Sequence, residues 1–96
     1  MAINVSLVNF TEQGIRNVKD SPKRAQAFRD LAKKHGVSVR EIYWTTGQYD
    51  MITITEGADE ALMAVLLSVS RLGNVRTQTL RAMDLETFQR VLAKVE

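Results

Sequence analysis

Apolar and polar residues alternate along four segments of the chain, and this period of two predicts four β-strands. Turn-forming residues, Gly47 to Asp50, separate the second segment from the third, so these two strands are expected to form a hairpin. The four alternating segments span residues 3–8, 37–46, 51–56 and 75–83.

Two longer segments repeat apolar residues every three or four positions, which predicts amphipathic helices. The first begins at Ser21-Pro22, with Ser21 as the expected N-cap, and ends at Gly36. The second begins at an Asp59 cap and ends at Gly73-Asn74. A short helical turn is expected before Asp20, and a last amphipathic helix follows the fourth strand.

The predicted order is strand, helix, strand, strand, helix, strand and terminal helix. Each strand–helix–strand unit should cross over right-handed, and two such units joined by a hairpin make the split βαβ, or ferredoxin-like, arrangement. We therefore predict one α+β domain over residues 1–96: a four-stranded antiparallel sheet with its helices on one face.

The strands present two different faces. We expect the more apolar set to pack beneath the long helices: Ile3, Val5, Leu7, Ile42, Trp44, Ile52, Ile54, Leu80 and Ala82. The other set combines hydroxyl, amide and apolar side chains on the uncovered face: Asn4, Ser6, Val8, Phe10, Glu41, Tyr43, Met51, Thr53, Thr55, Thr77, Thr79, Arg81 and Met83.

A second copy of the chain would explain this mixed face. Val8, Phe10 and Met51 are too apolar to form a patch in water, whereas threonine hydroxyls are unusual in a dry core. Two such faces packed together would bury the apolar groups around a small cavity; the alternative is a solvated face. The residues predicted at the interface are Val8, Phe10, Glu41, Met51, Thr53, Thr77 and Thr79.

The composition limits the classes of partner and cofactor that we expect for this protein. The 96 residues carry a net charge of only +2 with scattered bases, which argues against nucleic acid despite a pI near 9.2. The absence of cysteine excludes disulfides and thiolate metal sites and suits the cytoplasm. His35 has no companion ligands, so neither a metal nor another cofactor is expected, and no apolar stretch predicts a membrane span.

Five side chains are candidates for binding a small ligand. Arg81 suits an anion, with Tyr43 or Asn4 orienting it; the alternative for Arg81 is an interface ion pair with Glu41. The phenol and carboxylate of the hairpin turn form a second candidate, whose alternative is a purely structural turn. The candidate residues are Asn4, Tyr43, Tyr49, Asp50 and Arg81.

Several of these motifs occur together in one known family. The opening Val5 to Thr11, the segment Gly14 to Asp20, the Gly47-Gln48-Tyr49-Asp50 turn and the segment Leu72 to Ala82 resemble the GYD-domain family. The resemblance implies a bacterial or archaeal chain without an agreed activity. It also implies kinship to dimeric α+β barrels, among which binding modules and cofactor-free enzymes both occur.

Two functions are therefore open. The first is a homo-oligomeric binding or assembly module that uses the uncovered sheet face, with a small-ligand cavity between subunits. The second is a cofactor-free isomerase or monooxygenase acting on a small conjugated or aromatic anion. The sequence names neither the ligand nor the number of subunits.

Overall fold

The computed structural model describes residues 2–96 and confirms the ferredoxin-like α+β fold. Every predicted strand and long helix is present, and a short helix and a 3-10 turn at Val18–Asp20 precede the first long helix. The elements are β1 (Ile3–Phe10), α1 (Glu12–Arg16), α2 (Ser21–Lys34), β2 (Ser38–Trp44), β3 (Met51–Glu56), α3 (Asp59–Ser70), β4 (Val75–Ala82) and α4 (Leu85–Leu92).

The sheet has the strand order β2-β3-β1-β4, with every neighbouring pair antiparallel. β1 lies at the centre, where Val5 is paired with Ile54 of β3 and with Leu80 of β4. Helices α2 and α3 cover one side of the sheet. The fully buried cluster between the layers consists of Phe28, Ala32, Val37, Leu62 and Val65.

The two long helices start differently from the prediction. α2 is preceded by Asp20 and contains Ser21 as its first residue, and α3 is preceded by Ala58. Neither N-cap residue makes a side-chain capping bond. Ser21 Oγ instead accepts from Trp44 Nε1, and the carboxylate of Asp59 pairs with Arg81. The two side chains predicted to cap the helices therefore bind residues that are distant in the sequence.

On β1, β3 and β4 the two faces of the sheet are reversed relative to the prediction, whereas β2 places Ile42 and Trp44 on the helix side as predicted. Val8, Met51 and Thr53, predicted on the uncovered face, are buried on the helix side, and Thr77 and Thr79 share this side. Phe10 has the same strand parity as Val8. The uncovered face instead carries most of the set predicted for the core: Ile3, Val5, Leu7, Ile52, Ile54 and Leu80. Glu41 and Tyr43 lie on the uncovered face, as predicted.

The reversal has a packing explanation. The helices supply their own bulky side chains, such as Phe28 and Leu62, so the sheet beneath them carries small residues. Ser6 and Thr53 can lie there because they let the helix layer approach closely. Alternation separates the two sets of side chains, but it does not say which set the helices cover.

A β-bulge changes the parity of β2. The pairing shifts between Val39 and Glu41, so Val39 and Ile42 both pack against the core beneath the helices. Uninterrupted alternation would instead place Val39 on the same side as Glu41 and Tyr43. The extra residue at the bulge breaks the period of two, which is the usual consequence of this irregularity.

The start of α1 is tied to the connection between α3 and β4. The backbone N–H of Thr11 donates to the carbonyl of Asn74 at 3.0 Å, and the Thr11 hydroxyl donates to the carbonyl of Gly73. The Gln13 amide donates to Asn74 Oδ1 at 2.9 Å. At Gly14 an added Cβ would lie 1.9 Å from the Asn74 carbonyl oxygen, so no larger residue fits this contact.

Replacing Gly14 by alanine should therefore destabilise the protein. Alanine favours a helix, but the clash with backbone should lower the free energy of unfolding by about 3 kcal/mol. Glu12→Ala, an exposed change in the same helix, should remain within about 0.5 kcal/mol of the wild type. Urea unfolding followed by circular dichroism measures both, and equal midpoints would contradict the contact.

Candidate functional site

A groove of about 480 Å³ lies between α3 and the edge strand β4. Its helix wall is apolar and includes Leu62 and Leu66, whereas its sheet wall carries Thr77 and Thr79. This volume lies within the range of about 300–1,000 Å³ typical of small-molecule sites. The groove therefore has the size and the mixed lining of a binding site.

The amide of Asn4 forms part of this groove and lacks an internal partner. Asn4 is only 4% exposed, and within residues 2–96 its Nδ2 atom has no hydrogen-bond acceptor. Its neighbour across the β1–β3 pair is Thr55, whose buried Oγ1 is also without a partner in this part of the chain. Each such group costs about 1–3 kcal/mol of stability, which sets Asn4 apart from an ordinary core residue.

An ion pair lies at the rim of the groove. Arg81, which is opposite Asn4 in the β1–β4 register, contacts the carboxylate of Asp59 through one guanidinium nitrogen. The two side chains are 59% and 65% exposed, so the pair contributes little to stability. Arg81 can therefore turn toward a bound molecule at small cost.

A second, smaller cavity of about 60 Å³ lies between α2, α3 and the sheet. It shares Leu66 and Thr77 with the groove, and its remaining walls are mostly apolar. Ser21 closes one side, where its hydroxyl accepts from Trp44 Nε1 at 2.9 Å and contacts the sulfur of Met51. The groove is the larger of these two spaces and carries an ion pair at its edge, whereas the lining of the smaller cavity includes one charged side chain, Arg24.

The hairpin turn is held by its own residues. The Asp50 carboxylate accepts from the backbone N–H of Phe10 at 2.8 Å, which ties the start of β3 to the end of β1. Gly47 has a φ of +102°, a conformation that glycine adopts readily, and the Tyr49 hydroxyl donates to Gln78 Oε1 at 3.3 Å. These contacts support the structural alternative for Tyr49 and Asp50.

Tyr43 lies on the other side of the sheet from the groove. It is paired with Ile52 in the β2–β3 register, and its hydroxyl interacts with Glu41. A hydrogen bond to Glu41, and the negative charge of that carboxylate, raise the pKa of Tyr43. The phenol is thus a hydrogen-bond donor on the uncovered face.

The candidate residues thus separate into three places. Asn4 and Arg81 meet in the groove, Tyr43 lies on the uncovered face, and Tyr49 and Asp50 stay in the turn. The pairing predicted between Glu41 and Arg81 is wrong, because Arg81 contacts Asp59 instead. Thr77, Thr79 and Arg81 share one side of β4, so alternation alone could have assigned the two threonines to the ligand site. No local signal pointed to Asp59.

Among residues 2–96, no group of three or more histidine, aspartate or glutamate side chains is arranged to hold a metal ion. No helix in this part of the chain combines the length and the apolar character needed to cross a membrane.

Comparison with protein families agrees with the motifs at the turn and at the α3–β4 connection. The model of the GYD domain matches residues 5–92. The chain belongs to the GYD-domain family. No curated protein matches the sequence significantly.

Solved structures share the fold of this GYD-domain protein at low sequence identity. The feast or famine regulatory protein from M. tuberculosis, complexed with L-methionine, has a TM-score of 0.65 at 15% identity over 88% of this chain and 51% of its own. MtbAldR has a TM-score of 0.60 at 13% identity over 86% and 53%. The C-terminal domain of MgtC from Mycobacterium tuberculosis has 0.56 at 12% over 84% and 86%. The chain spans about half the length of the first two, and identities this low show the fold alone.

Removing the unpartnered hydroxyl next to Asn4 should stabilise the protein. Thr55→Val keeps the shape of the side chain and should raise the free energy of unfolding by about 1 kcal/mol. Ser6→Ala, on the same face, should lower it by about 1 kcal/mol, because Ser6 Oγ is 2.9 Å from Thr79 Oγ1. Urea titration compares them, and a Thr55→Val variant less stable than wild type would show that this hydroxyl is bonded.

Proposed function

We propose that this GYD-domain protein is a small binding module that works as a homodimer joined through its uncovered sheet faces. The observation that carries the proposal is the apolar character of that face. Val5, Leu7, Ile52 and Ile54 occupy its two central strands, and Leu80 on the edge strand is 46% exposed. A contiguous apolar patch of this kind marks an interaction surface.

The uncovered face of the sheet is smaller than the surface that a stable dimer usually buries. Eight residues of about 3.4 Å and four strands about 4.8 Å apart give a face of roughly 500 Å². Two faces together bury about 1,000 Å², whereas stable interfaces bury about 1,200–2,000 Å². The sheet alone therefore supplies slightly less area than a stable dimer needs.

Helix α4 offers the missing area. None of its residues is buried, and one side of the helix is a stripe of exposed apolar side chains. Asp84 caps the helix by accepting from the backbone N–H of Thr87 at 2.8 Å, which lowers the pKa of Asp84. A partner subunit that covers both the sheet face and this stripe would bury Leu85, Phe88, Val91, Leu92 and Val95.

The neighbours in fold support the binding part of the proposal. One of them is a regulatory protein complexed with L-methionine, so this fold is compatible with small-molecule recognition. The alternative of a cofactor-free enzyme relied on Tyr43, Tyr49, Asp50 and Arg81 acting together. These groups lie in three separate places, so no observation favours that alternative over binding.

A charge at the centre of the uncovered face should prevent dimerisation. We expect the wild type to sediment as a dimer at micromolar concentration and Ile54→Lys to sediment as a folded monomer, because an unpaired buried charge is costly. Ile15→Lys, an exposed position on α1, should remain dimeric. A monomeric wild type, or a dimeric Ile54→Lys variant, would contradict the proposal.

Trimming the α4 stripe should weaken the same dimer. The double substitution of Phe88 and Leu92 by alanine removes apolar contact area and should raise the dissociation constant by about tenfold or more. Gln89→Ala, in the same helix, serves as the control. Sedimentation over a concentration series measures the constants, and an unchanged value for the double variant would exclude α4 from the interface.

A further inference from the structure

We propose that the groove between α3 and β4 binds a small apolar monocarboxylate, with Asn4 Nδ2 donating to the carboxylate. The inference deepens the proposed binding function by naming a site and a ligand class. It does not depend on the dimer, because the groove lies on the helix side of the sheet and the proposed dimer surface on the other.

The wall of the groove contains a buried donor that lacks an acceptor. Asn4 Nδ2 is buried and unpartnered within residues 2–96, and Asn4 forms part of the groove wall. A carboxylate accepts hydrogen bonds and donates none, so it complements such a group. Bonds to a charged acceptor are also about twice as strong as neutral ones, which would offset the burial of the amide.

The apolar helix wall of the groove indicates that the part of the ligand beyond its carboxylate is also apolar. Leu62, Met63, Leu66 and Leu67 follow one another along α3 and all contribute to this wall. Leu67 and Met63 are 61% and 57% exposed, so apolar surface remains to be covered. A short alkyl or aryl chain attached to the carboxylate would lie against these side chains.

The rim favours an anion over a neutral molecule. Arg81 uses one nitrogen to contact Asp59 and retains other guanidinium donors for a second acceptor. Asp59 opposes the bound anion, but its charge is balanced by Arg81 and exposed to water. This arrangement makes Asp59 a weak brake on anion binding and, because its charge is already paired with Arg81, a poor partner for the ammonium group of a zwitterion.

The first experiment titrates the full-length ¹⁵N-labelled protein with hexanoate and follows the amide spectrum by NMR. We expect the side-chain NH₂ signals of Asn4 and the backbone signals of Thr79 and Arg81 to shift in a saturable manner. 1-Hexanol, which has the same chain without the charge, should bind about tenfold more weakly or not at all. The absence of a shift at Asn4, or equal affinity for hexanol, would overturn the proposal.

Substitution of Asn4 tests the role of the amide. Asn4→Leu has a similar shape and should keep or raise the melting temperature, since it removes an unpartnered buried group, while weakening hexanoate binding by at least about tenfold. Thr55→Val changes the neighbouring buried position, which does not line the groove, and should bind hexanoate as the wild type does. Unchanged affinity in Asn4→Leu would overturn the assignment.

Two surface variants test the rim and do not depend on replacement of a buried residue. Arg81→Gln should weaken hexanoate binding several-fold, whereas Asp59→Asn should strengthen it several-fold by removing the opposing charge. Norleucine, the zwitterion with a similar chain, should bind more weakly than hexanoate. Loss of binding in Asp59→Asn, or tighter binding of norleucine, would replace the monocarboxylate by an amino acid and overturn the ligand class.

Failure of this site and failure of the dimer can be told apart. Ile54→Lys, expected to be monomeric, should retain hexanoate binding because its substitution lies on the opposite side of the sheet. A dimeric wild type that shows no shift at Asn4 would overturn the groove and leave the dimer intact. A monomeric wild type that binds hexanoate would overturn the dimer and leave the groove proposal intact.

Discussion

A single layer of helices covers a sheet that is apolar on its other side, and most features of this protein follow from that constraint. α2 and α3 bury one face against Phe28, Leu62 and Val65, and nothing in residues 2–96 buries the opposite face. Apolar side chains in the centre of the sheet, such as Val5 and Ile54, are then left to water or to another molecule. The proposed second copy of the chain would meet this demand, because a twofold dimer brings the same apolar face of both subunits together.

The same arrangement accounts for the small and polar residues beneath the helices. Because the helices contribute the bulk of the core, the sheet below them can carry Asn4, Ser6 and Thr55. Ser6 is satisfied by Thr79, whereas Asn4 and Thr55 keep unpartnered atoms in the described part of the chain. Stability alone would favour apolar replacements at the latter two positions; of the two, only Asn4 lines the groove that we propose as a ligand site.

The motifs that identify the family have mainly structural roles in this protein. Gly14 admits the close approach of Asn74, and the carboxylate of Asp50 anchors the hairpin to β1. Both contacts connect segments far apart in sequence, which is why the motif residues are dispersed along the chain. The groove proposed to bind a ligand lies apart from the hairpin turn, but Thr77, Thr79 and Arg81 of its sheet wall belong to the family segment Leu72 to Ala82.

The sequence by itself determined the order of the elements, the ferredoxin-like topology and the family, because periodicity, turn residues and motifs are local properties of the chain. Only the tertiary structure decided which face the helices cover, since alternation is symmetric between the two faces and the bulge after Val39 interrupts it. It also decided that Asn4 and Arg81 meet while Tyr43 lies on the opposite side. Asp59 joins them through the placement of α3 over the sheet, a long-range contact that no local pattern encodes.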